Sequence, residues 1–116
     1  MNYLGIDYGQ SHVGVAIATG PLAEPLVTIK AAIAIQSIKQ LIEKHQIDGI
    51  VAGDCPESFL NQLSQLGLPI HQADETLSTH DATQSLLHTS QTRRRNLEHA
   101  VSAAIILQGW LDGITP

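Results

Sequence analysis

The chain has 116 residues, 43% hydrophobic and 3% aromatic, with a formal net charge of −5. Its length predicts one domain over residues 1–116, and its acidic balance excludes a broadly basic nucleic-acid binder. No apolar run approaches the ~20 residues of a membrane span, no signal-peptide pattern opens the chain, and a lone Cys55 excludes an internal disulfide, so the expected location is cytoplasmic.

Residues 2–8 and 12–18 read as two short strands around a turn at Gly9, which predicts a hairpin. Gly20-Pro21 and Pro25 punctuate a loop, after which Leu26–Ile29 supplies a third strand. Over 33–45, Ile35, Ile38, Leu41 and Ile42 recur at helical spacing and predict an amphipathic helix. "IDGIVAG" (47–53) is a buried strand that ends at Gly53-Asp54. "PESFLNQLSQLG" (56–67) predicts a helix with Pro56 in its first turn, Asp54 or Cys55 as N-cap and Gly67 as C-cap. "LPIHQA" (68–73) is the next strand, and Ser78-Thr79-His80-Asp81 fits a capping box opening a helix to about His88. A final helix is predicted from Asn96 or Leu97 to about Gly113.

The order β-β-β-α-β-α-β-α-α implies an α/β protein, a mixed central sheet with helices on both faces. In such sheets functional groups gather where the C-terminal ends of neighbouring parallel strands open a crevice. Asp7, Asp54 and the pair Asp74-Glu75 all fall just past predicted strand ends. Read singly, each has a structural alternative: Asp7 as an Asx-turn residue, Asp54 as a helix cap, Glu75 as a solvated loop acid. Gathered at one edge, they repel each other, and a bound divalent cation offsets that repulsion. Carboxylate oxygens suit Mg²⁺ or Mn²⁺, and such ions support in-line hydrolysis of a phosphodiester.

Three segments, "YLGIDYGQSHVGVAIA", "DETLST" (74–79) and "SAAIILQGWL" (102–111), resemble the YqgF/RuvX family in the same order along nearly the whole chain. The members of that family are described as Holliday-junction resolvases or as nucleases that process the pre-16S rRNA end. The resemblance implies a ribonuclease-H-like fold and a metal-dependent nuclease. It places the family's first acid on Asp7, its acidic pair on Asp74-Glu75 and its basic stretch before the last helix on Arg93-Arg94-Arg95.

Two departures stand out. Where the family carries an Asp at the start of its last helix, this chain has His99, beside Glu98. The family's Gly-Leu-Pro loop after the fourth strand is shortened to Gly53-Asp54-Cys55-Pro56. Junction resolvases of this fold carry an acid at that strand end, so Asp54 is a candidate to restore a ligand where His99 alters one. A neutral imidazole ligates Mn²⁺ and serves as general acid or base near neutral pH; the alternative for His99 is a polar first-turn residue facing solvent. The other histidines show no metal-ligand spacing and receive no role. Arg93–Arg95 suit bidentate phosphate contact, their alternative being a solvated loop. Cys55 reads as a small buried residue and Trp110 as packing.

The expected function is a nuclease acting on structured nucleic acid, precursor rRNA or branched DNA. Asp7, Glu75 and His99 are the catalytic candidates, and Asp54 and Asp74 are further ligands for Mg²⁺ or Mn²⁺. A degenerate member that binds RNA or ribosomal particles without cleaving them is the second reading. A phosphate-binding ATPase-like module, prompted by "GIDYGQ", ranks last because the chain lacks a second lobe and adenosine motifs. A junction resolvase requires two symmetric sites and so a homodimer, whereas an rRNA-end nuclease does not, so the expected state is a monomer or a homodimer.

Overall fold

A computed structural model describes residues 1–73 and 91–114 of the chain, with side chains for 1–73 and 98–113. Strands β1 (Tyr3–Asp7), β2 (His12–Ala18), β3 (Ala23–Lys30), β4 (Gly49–Ala52) and β5 (Ile70–Gln72) form one five-stranded sheet in the order β3-β2-β1-β4-β5. The pairs β1–β2 and β2–β3 are antiparallel, while β1–β4 and β4–β5 are parallel. The predicted hairpin and the mixed sheet are therefore both present.

Strand alternation sorts the residues between two faces. Leu4 and Ile6 of β1, Val13 and Val15 of β2, and Ile50 and Ala52 of β4 form one face of the core. Helices α1 (Ala34–His45) and α2 (Glu57–Ser64) cover it with Ala34, Ile38, Phe59 and Leu63. On the opposite face Ala16, Ala18 and Val51 meet Ala103, Ala104, Ile106, Leu107 and Leu111 of the long helix α3 (Gln91–Ile114). β4 is buried along its whole length, which explains its unbroken apolar run.

The second face is lined by small residues, so the backbone of α3 lies directly on the sheet. A Cβ on Gly14 would overlap the His99 carbonyl and lie 2.7 Å from the Ala100 nitrogen. A Cβ on Gly5 would stand 2.7 Å from the Leu107 Cβ and 2.8 Å from the Ala103 carbonyl oxygen. Glycine at these two positions is required by that close approach.

Several sequence expectations need correction. The third strand begins at Ala23 and takes in Pro25, which the sequence pattern assigns to a loop. Proline is tolerated there because β3 is an edge strand and the register shifts beside it: Val15 pairs with Val27 and Ala16 with Pro25, leaving Leu26 as the extra residue of a bulge. Helix α2 is capped by neither Asp54 nor Cys55. Its N-cap is Pro56, without a side-chain cap hydrogen bond, and Pro56's fixed φ of −61° begins the helix. The helix ends with Gln65 as C-cap, two residues before Gly67, whose φ of +87° turns the chain toward β5. The last helix starts at Gln91, not near Asn96, so the three arginines belong to a helix and not to a loop. Arg and Gln are good helix formers, and no Gly or Pro interrupts 91–97. The helix predicted from Ser78 to about His88 lies outside the described residues.

Candidate active site

Asp7 is the last residue of β1, a central strand flanked by β2 and β4. By alternation its side chain shares a face with Tyr3 and Gly5, the face that α3 covers. The register pairs Asp7 with Gly14, the glycine on which α3 sits at His99 and Ala100. The Gly14 contact therefore brings His99 to Asp7. Their Nδ1 and Oδ2 atoms lie 3.6 Å apart, with the side chains 43% and 23% exposed respectively. That separation is within ion-pair range and too long for a hydrogen bond. A Cβ on Gly9 would come within 3.3 Å of the His99 ring and 2.5 Å of the His12 carbonyl oxygen, so the β1–β2 turn also packs under the imidazole.

His99 therefore faces Asp7, although it stands in the third turn of α3 and not in its first. Sequence reasoning assigns no role to His12, yet its ring lies 6.2 Å from the His99 ring at an interplanar angle of 17°. A signal exists in the pattern: His12 stands two residues before Gly14 and so shares its face.

Asp54 is exposed in the bend that follows β4. Among the described residues no three His, Cys, Asp or Glu side chains converge as a metal-holding group. Asp74 and Glu75 lie outside the described residues, and so do the side chains of Arg93, Arg94 and Arg95. The backbone of the three arginines precedes His99 by four to six residues on the same helix, about 6–9 Å along its axis. Cys55 is half-buried against the α1–α2 core. Trp110 packs at the other end of the sheet, its ring 5.0 Å from that of Tyr3 and 4.7 Å from that of His71. No helix among the described residues is long and apolar enough to cross a membrane.

A mixed sheet in this order, with a carboxylate ending a central strand and a helix laid over it, defines the α/β class of ribonuclease-H-like proteins. Solved structures agree on the fold. The Fowlpox virus resolvase, solved with substrate Holliday junction DNA, superposes with a TM-score of 0.68 at 8% identity, covering 100% of both chains. RuvC from Thermus thermophilus, in complex with a Holliday junction substrate, gives 0.58 at 13% identity, covering 97% of this chain and 94% of the other.

The chain belongs to the RuvX family, described as Holliday junction resolvase, whose model matches residues 1–113. Curated relatives carry the name "Putative pre-16S rRNA nuclease". One from Moorella thermoacetica is 32% identical over 97% of this chain and 95% of its own length. Another, from Clostridium botulinum, is 30% identical over 99% of both.

Proposed function

We propose that this chain is a divalent-cation-dependent endonuclease that hydrolyses phosphodiester bonds in structured nucleic acid, with the 5′ end of the pre-16S rRNA as its substrate. Its chief support is the placement of Asp7 at the end of a central strand with His99 held 3.6 Å away by the Gly14 contact. Family membership and the names of the relatives point the same way.

The donor chemistry fits a cation. Two ligands of one octahedral ion stand roughly 3 Å apart at bond lengths of ~2.1 Å, so the observed 3.6 Å is within a small side-chain adjustment. Asp7 offers a hard oxygen and His99 a nitrogen, a mixed set that favours Mn²⁺ over Mg²⁺. Glu75 and Asp74 would complete the site by the family pattern, with Asp54 as a further candidate. When bound, the cation activates the attacking water and stabilises the leaving oxygen.

The chain's own residues do the rest. β1, rigid within the sheet, fixes the Asp7 carboxylate, and α3 fixes the His99 ring against it. Arg93–Arg95, on the same helix, contact phosphates and hold the strand against the acidic edge. The test is cleavage of labelled precursor rRNA and of a four-way DNA junction, with Mn²⁺, with Mg²⁺ and with chelator, using Asp7→Asn as control. Cation-dependent cutting of the rRNA, abolished in Asp7→Asn, is the expected result. Cutting of the junction alone refutes the substrate, and no cutting of either refutes the nuclease.

A further inference from the structure

Binding nucleic acid is an electrostatic problem for a chain with a net charge of −5. Its six Lys and Arg residues are unevenly placed. Lys39 and Lys44 lie on α1, against the sheet face remote from Asp7. Arg93, Arg94 and Arg95 lie on α3, and Lys30 is the one Lys or Arg in the sheet.

Lys30 is the last residue of β3, and the register sets it directly opposite His12. Directly opposite residues of an antiparallel pair share a face, and His12 stands on the Gly14 face, with its ring 6.2 Å from that of His99. The end of β3 is tied to this place, because the Ala31 N–H donates to the Ser11 carbonyl at 2.9 Å, just before His12. Both His12 and Lys30 are exposed. From Asp7, Lys30 is two strands across and two residues further along. At ~4.8 Å per strand and ~3.4 Å per residue the two backbones are about 12 Å apart. With an axial rise of ~3.4 Å per nucleotide, a long flexible lysine at that distance reaches phosphates a few nucleotides from the one at Asp7.

We propose that His12 and Lys30 form a phosphate-binding pair that holds the nucleic-acid strand on the β2–β3 side of the Asp7–His99 centre. The pair contributes an imidazole N–H and an ammonium, and it reads charge, not sequence. This inference rests on the nuclease reading, which supplies the bound strand.

Binding is measured in an Asp7→Asn background, which prevents cleavage, using a fluorescein-labelled RNA hairpin with a single-stranded 5′ extension. Lys30→Gln should weaken binding roughly threefold or more and flatten the salt dependence by about 0.7–0.9 in log–log slope, the value of one phosphate contact. Lys30→Arg should retain both, and adding His12→Gln to Lys30→Gln should weaken binding further. Lys39→Gln, on the opposite face, should leave affinity and slope at their starting values.

An unchanged Kd and slope in Lys30→Gln, or an equal loss in Lys39→Gln, overturns the proposal. Cleavage by the unmutated chain, assayed in parallel, separates the two claims. Cleavage with no effect of Lys30→Gln removes the pair alone, whereas an Asp7→Asn protein that binds no RNA, together with no cleavage, removes both.

Discussion

Gly14→Ala tests the link between packing and site most directly. The added Cβ overlaps the His99 carbonyl and stands 2.7 Å from the Ala100 nitrogen, both of them backbone atoms that no rotamer change moves aside. Relief therefore requires α3 to lift from β2 by on the order of 1 Å, and gaps of 0.5–1 Å already forfeit a quarter to a half of the dispersion energy between facing atoms. The affected packing includes that of Ala103, Ala104 and Leu107 against Ala16, Ala18 and Val51. Overpacking of this kind costs about 3 kcal/mol, the upper part of the usual range, and so lowers Tm by roughly 10–15 °C in a chain of this size. Gly5→Ala should cost less, because its added Cβ stands 2.7 Å from the Leu107 Cβ and 2.8 Å from the Ala103 carbonyl oxygen, a milder approach than the overlap at Gly14, although both atoms are fixed to the backbone of α3 and the helix must still shift. Gly20→Ala meets nothing within 4 Å and should be neutral or slightly stabilising. Thermal and urea unfolding of the three variants reads this order. A Gly14→Ala protein melting within about 2 °C of the parent would refute the seating of α3 on Gly14, and with it the explanation of how His99 reaches Asp7.

Two further outcomes concern the site itself. Asp7→Asn should lower cleavage at least ~10²-fold, in keeping with the several kcal/mol a catalytic cation supplies, while far-UV circular dichroism and Tm show the fold intact; unchanged cleavage removes Asp7 from the mechanism. Replacing Arg93, Arg94 and Arg95 together with Gln should weaken binding equally for all sequences and flatten the salt slope by about 0.7–0.9 for each phosphate that is no longer neutralised; if neither affinity nor slope moves in a binding titration, the run has no part in holding the substrate.

The strands and the covered faces are legible in the sequence because they depend on local alternation and on punctuation by Gly and Pro. Leu4, Ile6, Val13 and Val15 announce a buried face, and the unbroken apolar run of residues 49–52 announces a strand buried on both sides. What escapes depends on partners distant in sequence. Pro25 reads as a loop residue, since nothing near it shows that β3 is an edge strand with a bulge absorbing Leu26. The start of α3 is obscured because three consecutive arginines resemble a solvated linker, although their helix propensity is high. Asp54 reads as a cap because Asp is a common N-cap residue, but Pro56 stands at that position. At the site, Asp7 is legible as an acid that ends a strand, and family resemblance singles out His99. His12 carries no mark beyond its place two residues before Gly14, because its neighbour is 87 residues away and meets it only across the Gly14 contact.

The histidine at position 99 changes the electrostatics around Asp7 as well as the donor set of the proposed cation site. An acid there would face the Asp7 carboxylate from the same helix position, its Oδ standing where the His99 Nδ1 now lies, 3.6 Å from the Asp7 Oδ2. Two such charges repel by about 4–5 kcal/mol at an effective dielectric of 20, reduced to ~1 kcal/mol by solvent because both positions are partly exposed. An imidazole removes that repulsion, so the cation-free form of this chain is less strained than one carrying two acids. His99→Asp should therefore lower the Tm measured in chelator, and added Mg²⁺ should raise it by more than it raises that of the parent. The same substitution supplies a second hard oxygen and should move cleavage away from Mn²⁺ and toward Mg²⁺. Melting curves in chelator, Mg²⁺ and Mn²⁺ check the first effect and cleavage rates the second. If His99→Asp matches the parent in both, position 99 holds no cation, and the site must be built on Asp7 with acids from elsewhere in the chain.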